Sequence, residues 1–308
     1  MAVSIGSVKR VKLMENQANL GGVFTMPRTT LTLNRIGYGA MQLPGPQVWG
    51  PPKDRNAALA LLKEAIALGI NHVDTADYYG PNVSNELIRE ALYPYPDNLV
   101  IVTKVGYGRG PDRSWQPALS AADLERAVHA NLTVLRLDAI DIVNLRVGGD
   151  AGPREGSIKA PLEVLVGLTK KGLIRHIGLS NVTPRQFAEA ESITEIVCVQ
   201  NYYNVAHRED DDFIDILAEK GIGYTPFFPL GGFTPLQSTV LDEAARVLKA
   251  TPMQVALAWL LHRAPNILLI LGTSSVKHLR ENVGAATVEL PREVRMKIDT
   301  IAVAHRSH

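Results

Sequence analysis

Rhythm constrains this chain more than any single motif does. Short apolar runs, most of them nearly all-apolar, recur along it and alternate with stretches of helical periodicity. Eight such runs stand out: Arg35-Ile36-Gly37-Tyr38, then residues 71–75, 99–103, 140–145, 173–179, 196–200, 222–225 and 267–271. Strands buried on both faces, as in a parallel sheet, carry this pattern. Eight strands alternating with helices favour a (β/α)8 barrel, the TIM barrel, over an open doubly wound sheet. Residues 1–308 are read as one such domain, with about the first 20 as a flexible N-terminal extension. Residues 20–34 alternate loosely and are read as a hairpin plugging the bottom of the barrel.

Start and stop signals place the helices. Thr183-Pro-Arg-Gln186 and Thr251-Pro-Met-Gln254 each offer a capping threonine, a first-turn proline and a glutamine three residues on. Ser120 with Asp123 resembles the same device ahead of Leu124, Val128, Leu132 and Leu135. Asp54 can cap a helix that runs through Leu68 and stops at Gly69. Two long loops, 106–119 and 147–159, follow strands and so belong to the catalytic face of a barrel.

Composition removes several function classes. The net charge is +1 with acids and bases interspersed, which argues against nucleic acid as a partner. Lys9, Arg10 and Lys12 are followed by Glu15, Asn16 and Gln17 rather than by a signal-peptide apolar run. No stretch reaches membrane-span length, so a cytoplasmic protein without membrane partners is expected. The lone cysteine, Cys198, excludes an internal disulfide and reads as a packed core thiol. The histidines form no metal-ligand cluster, and Gly106-Tyr-Gly-Arg-Gly110 lacks the spacing of a dinucleotide fingerprint. Asp210, Asp211 and Asp212 read as a solvated helix start.

Chemistry concentrates at strand ends. Asp74 ends one strand of the barrel, Lys104 ends the next, and Tyr79 lies in the loop beyond Asp74. Reducing a carbonyl needs a hydride on carbon and a proton on oxygen. A lysine ammonium beside a tyrosine favours the phenolate and makes the phenol a better acid. A carboxylate beside the lysine keeps it charged and in place. The plain alternative is a structural ion pair with a tyrosine covering the core.

Asp74-Thr-Ala-x-x-Tyr79-Gly80, followed by strand-borne Val102-Thr-Lys104, resembles the signature of the aldo-keto reductase family. The resemblance runs from Gly37-Tyr-Gly-Ala-Met41 to Asn282, with the motifs in the family's order. It implies that Asp74, Tyr79 and Lys104 are three of the family's four catalytic residues. Tyr79, rather than Tyr78, would be the proton donor. The fourth position departs from the pattern. Where relatives carry histidine, this chain has Arg146, in Ile140-Asp-Ile-Val-Asn-Leu-Arg146. Arginine is always charged and offers a planar fork of donors, but it does not titrate near neutral pH. It can polarise a carbonyl oxygen or bind an anionic or phenolic group. A salt bridge on the rim is its structural alternative, and Asn144 is a weaker donor on the same strand.

The resemblance also implies a nicotinamide cofactor. Ser180 and Asn181, in Gly178-x-Ser-Asn181, and Gln200 would bind the carboxamide. Phe227 takes the place of a stacking tyrosine, and Leu230 with Gly232 would bring backbone N–H groups to the pyrophosphate. Leu271-Gly-Thr-Ser-Ser-Val-Lys-His-Leu-Arg-Glu-Asn282 is similar to the family's adenosine-end motif. Thr273, Ser274 and His278 would meet a 2′-phosphate, and Glu281 and Asn282 the adenine. NADP (as NADPH) is therefore expected ahead of NAD, with Lys277 or Arg280 supplying the charge.

Trp49 and Trp115 are expected to wall a pocket for a small-molecule carbonyl substrate. Gly37–Gly45, Gly50–Arg55 and Thr225–Gln237 resemble a bacterial subgroup linked to pyridoxal reduction. A different class of function also fits the loss of the histidine: a cofactor-binding regulatory homologue with little turnover.

Overall fold

A computed structural model describes residues 20–149, 152–231 and 238–302 of the chain. A hairpin of β1 (Val23–Thr25) and β2 (Thr32–Asn34) comes first. Strands β3 (Ile36–Gly39), β4 (His72–Asp74) and β5 (Val100–Val105) follow. A second hairpin, β6 (Tyr107–Arg109) and β7 (Trp115–Pro117), leads to β8 (Ile140–Arg146) and β9 (Ile174–Ser180). The last strands are β10 (Cys198–Tyr202), β11 (Gly223–Phe227) and β12 (Leu269–Gly272).

Eight of these form one parallel sheet in the order β11-β10-β9-β8-β5-β4-β3-β12. The ring closes where Tyr224 N–H donates to Asn266 O and Leu268 N–H to Tyr224 O, both at 2.8 Å. The expected (β/α)8 barrel is therefore what forms. Arg35 locks the closure from below. Its guanidinium donates to the carbonyls of Leu261 at 2.7 Å and Ala264 at 2.6 Å, and its Nε to Ile267 O at 3.1 Å.

The N-terminal hairpin plugs the barrel as its pattern suggests. Met26 and Leu33 pack with Val100, Val102, Ile142, Val197 and Leu268, all buried at the strand starts. Gly37 is required beside them: a Cβ there would lie 2.0 Å from His72 Nε2. Leu20, at the edge of the proposed extension, is buried, and residues 1–19 lie outside the described residues.

The capping signals are made as read. Thr183 and Gln186 exchange both bonds of a capping box, and so do Thr251 and Gln254. Ser120 accepts from Asp123 N–H, but the aspartate side chain bonds the serine hydroxyl instead of reaching back to the backbone. Asp54 caps the helix Arg55–Ala67. Among the described residues no helix is long and apolar enough to cross a membrane.

Two readings are corrected. The 106–119 stretch is not a plain loop, because Tyr107–Arg109 and Trp115–Pro117 pair as antiparallel strands. Asp210 and Asp211 are not merely solvated. Asp210 accepts from Asn201 and Tyr224, while Asp211 accepts from Tyr203 and pairs with Arg208 and Arg263. Arg208 lies one helical turn from Asp211, whereas Tyr224 and Arg263 come from later elements that only the folded barrel brings near.

Candidate active site

Alternation along a strand sends neighbouring side chains to opposite faces. At the C-terminal ends of the barrel strands this turns Asp74, Lys104, Arg146, Gln200 and Phe227 toward one cavity of about 340 Å³. Tyr78, Tyr79 and Trp115 also line it, supplied by the loop after β4 and by the second hairpin.

Lys104 and Asp74 form a buried ion pair, with Nζ 2.5 Å from Oδ1 and about 4 % of either side chain exposed. Lys104 Nζ also donates to Thr75 O at 3.0 Å. Asp74 Oδ2 accepts from Gln200 Nε2 at 2.9 Å. Both carboxylate oxygens are thus engaged, one by a charge and one by an amide. A pair so thoroughly desolvated is costly to keep and is more easily explained by use than by stability.

The ammonium sits 4.9 Å from the centroid of the Tyr79 ring. Tyr78 and Tyr79 meet edge to face at 5.3 Å, and Trp115 packs edge-on against Tyr78 at 5.7 Å and Tyr79 at 6.5 Å. The expected lowering of the Tyr79 phenol is not what dominates. Burial, aided by Asp74, pushes it well above the usual phenol range, against the opposing pull of Arg146. The phenol is therefore held protonated, as a donor must be before it acts. Tyr78 is raised in the same way, chiefly by burial, and its hydroxyl is buried without a hydrogen-bond partner.

Arg146 lines the same cavity. Among the described residues no Asp or Glu lies within 4.0 Å of it, so the rim salt bridge is not formed there. Its Nη1 donates to Ser180 Oγ at 3.3 Å, and the guanidinium lies 5.1 Å from the Phe227 ring and 5.4 Å from that of Tyr107. Asn144 is turned to Cys198, whose thiol donates to Asn144 Oδ1 at 3.3 Å. Burial pushes that thiol up to about 12, in keeping with a core cysteine.

The residues expected to hold a nicotinamide divide. Gln200 and Phe227 line the cavity, and Gln200 Oε1 is buried with no partner, which suits an amide N–H. Ser180 and Asn181 are fully buried behind it. Asn181 donates to the carbonyls of Gly149 at 2.6 Å and Gly152 at 3.0 Å, leaving Oδ1 unpartnered. Gln200 thus leaves an acceptor at the cavity wall, whereas the open acceptor of Asn181 lies behind it. Leu230 lines the cavity and Gly232 lies outside the described residues.

Of the residues expected to meet the adenosine end, Asn282 is buried and lines the cavity, Glu281 is half-buried, and Ser274 and His278 are exposed. Thr273 Oγ1 accepts from Ser275 N–H at 3.1 Å and so shapes the turn into the helix Val276–Val283. Arg280 is held by Glu64 at 2.7 Å. Trp49 is not among the lining residues: it carries Arg109 5.2 Å and Arg113 5.5 Å from its ring.

Sequence reasoning missed Met41, Gln42 and Tyr107 on the cavity wall. It also missed a buried polar group behind the site: Thr75, Asn85, Thr103 and Asn131. Asn131 was visible in principle, as a polar residue on the same helical stripe as Leu124, Val128 and Leu135.

Comparison with known proteins agrees with this geometry. The sequence profile described as the Aldo/keto reductase family matches residues 35–303. Pyridoxine 4-dehydrogenase of Escherichia coli (strain K12) is 63% identical over 89% of this chain and 96% of that protein. Probable aldo-keto reductase 1 of Glycine max is 28% identical, covering 84% of this chain and 82% of its own length. Among solved structures, the thermostable aldo-keto reductase Tm1743, bound to the inhibitor epalrestat, is 30% identical. It superposes with a TM-score of 0.76 over 91% of this chain and 99% of that one. An aldo/keto reductase from Klebsiella pneumoniae in complex with NADP and acetate shares the fold at 24% identity, with a TM-score of 0.71 over 88% of this chain and 92% of that one. A barrel whose strand ends bring a buried lysine–aspartate pair to a tyrosine, matched over most of its length by these proteins, belongs to the aldo/keto reductase family of oxidoreductases, which reduce carbonyls to alcohols.

Proposed function

We propose that this protein reduces pyridoxal, or a closely similar hydroxylated aromatic aldehyde, to the alcohol, with NADPH as the reductant and Tyr79 as the proton donor. The observation that carries the chemistry is the buried Lys104–Asp74 pair beneath Tyr79. The substrate rests on the similarity to pyridoxine 4-dehydrogenase and on a guanidinium, Arg146, with no carboxylate partner among the described residues.

Gln200, Ser180 and Asn181 hold the carboxamide in this reading, and Phe227 lies against the ring. Bound there, NADPH supplies the hydride. Tyr79 gives its proton to the carbonyl oxygen as negative charge develops on it. Lys104 offsets the charge left on the phenolate, and Asp74 keeps Lys104 ionised and in place. Arg146 steadies the oxygen or an ionised ring hydroxyl beside it; an arginine fork suits two adjacent oxygens. Thr273, Ser274, His278, Glu281 and Asn282 form the adenosine end. Lys277 is exposed and unpaired among the described residues, whereas Arg280 is occupied by Glu64, so Lys277 is the cation for a 2′-phosphate.

The test is oxidation of NADPH and of NADH with pyridoxal and a panel of simple aldehydes, by wild type and Lys277→Ala. Pyridoxal turnover with NADPH preferred, and the preference narrowed in the variant, supports the whole reading. Tight cofactor binding without reduction of any aldehyde would instead favour a regulatory homologue, the reading that the arginine in place of histidine permits.

A further inference from the structure

Behind the cavity wall, four polar side chains occupy one layer among apolar neighbours, with the Asp77 carboxyl beside Asn131. Thr75, Asn85, Thr103 and Asn131 are all fully buried. Ile88, Val128, Leu132 and Leu135, from the same two helices, are buried alongside Asn85 and Asn131. Alternation explains the placement. Asp74 and Lys104 point into the barrel, so Thr75 and Thr103, their immediate neighbours, point out to the helices.

The bonds run in one connected chain. Thr75 Oγ1 donates to Asn85 Oδ1 at 2.8 Å, and Asn85 Nδ2 donates to Asn131 Oδ1 at 2.8 Å. Thr103 Oγ1 donates to the same Asn131 oxygen at 2.7 Å. Asn131 Nδ2 donates to Ala127 O at 2.8 Å, and the Asn131 side chain also meets the Asp77 carboxyl. Every polar atom of the four side chains therefore has a partner. Such groups are costly to bury unless satisfied, and once satisfied they permit a single arrangement. Valine or leucine would fill these sites at less cost, so the polarity asks for a reason.

The reason lies one residue away on each strand. Thr75 also accepts Lys104 Nζ through its carbonyl at 3.0 Å, and its own N–H donates to Val102 O at 2.8 Å. Fixing the Thr75 side chain to Asn85 and the Thr103 side chain to Asn131, two asparagines bonded to each other, pins the two strand ends against each other. This sets where Asp74, Lys104 and the Thr75 carbonyl meet.

We propose that Thr75, Asn85, Thr103 and Asn131 are positioning residues that hold the Lys104 ammonium in register with Asp74 and Tyr79. The inference rests on the reading above that Lys104 acts in proton transfer. Displacing a catalytic group by about 1 Å can cost about a hundredfold in rate, so a lost anchor should show in turnover.

The experiment compares Thr103→Val, Thr75→Val, Thr103→Ser and Thr75→Ser with wild type and Lys104→Met, all in the full chain. Steady-state kinetics with NADPH and pyridoxal are read beside thermal midpoints. Valine keeps the shape and removes the hydroxyl; serine restores the hydroxyl. The expected result is a fall in kcat of about tenfold or more in each valine variant. KM for both substrates should stay within about threefold, and serine should recover most of kcat. Equal losses in the valine and serine variants, or lower thermal midpoints with kcat untouched, would overturn the inference. An inactive Lys104→Met beside fully active valine variants overturns it alone. A fully active Lys104→Met overturns both it and the reading on which it rests.

Discussion

Gln200 Nε2 reaches across the mouth of the barrel to Asp74 Oδ2 at 2.9 Å. The two residues stand on β10 and β4, which lie on opposite sides of the ring. Asp74 is thereby fixed from across the barrel by an amide and from the adjacent strand by Lys104 at 2.5 Å. Replacing Asp74 with asparagine keeps the shape and strands the buried ammonium. Losing one partner of a buried pair typically costs about 3–5 kcal/mol. Asp74→Asn should lower the thermal midpoint and cut turnover by about a hundredfold or more, checked by calorimetry and NADPH oxidation. Turnover near wild type would remove Asp74 from the mechanism.

Tyr78 and Tyr79 are both buried and both face the cavity, so substitution must separate them. A general acid contributes about 10²–10⁴-fold. Tyr79→Phe should lose turnover on that scale while still binding NADPH, followed by nucleotide fluorescence. Tyr78→Phe should stay within about tenfold of wild type. The reverse ranking would make Tyr78 the donor.

Arg146 is expected to read an ionised hydroxyl on the substrate. Hydrogen bonds to charged groups contribute about 1.5–3 kcal/mol, or about ten- to a hundredfold in affinity. Arg146→Met should therefore lower kcat/KM for pyridoxal by that factor more than for benzaldehyde. Equal losses on both substrates would mean that the guanidinium serves the carbonyl oxygen alone.

His72 gives the fold a pH dependence of its own. Burial pushes its imidazole down to about 4, from an ordinary value of 6.5. Below pH 6.5 the unfolded chain takes up a proton there that the folded chain refuses, so stability is full above 6.5 and is lost progressively down to about 4. The loss attributable to this group is about 3 kcal/mol at the acid end. Denaturant titrations between pH 4 and 7 should show wild type losing stability relative to His72→Gln as the pH falls. Parallel curves would clear His72 of the effect.

Much of this protein is determined by its sequence alone. The alternation of apolar runs with capped helices specifies an eight-stranded parallel barrel, because only strands covered on both faces can be apolar throughout. The spacing of Asp74, Tyr79 and Lys104 then assigns them to neighbouring strand ends at one face. These are local rules: period, cap and strand end each involve residues close together in the chain.

Tertiary structure decided what depends on distant neighbours. The phenol of Tyr79 is raised rather than lowered because burial outweighs the nearby ammonium, and burial is a property of the assembled cavity. Trp115 lines that cavity and Trp49 does not, since the second hairpin folds over the mouth while Trp49 braces Arg109. Asp210 and Asp211 look solvated in sequence but meet Tyr224 and Tyr203 on the barrel side. Asn131 sits on an apolar stripe and would pass for a flaw in it. Only the packing of its helix against β5 brings it to Thr103, and only Asn85 joins it to Thr75. Hydrogen bonds between residues far apart in the chain follow no period, so they can be read only once the barrel has closed.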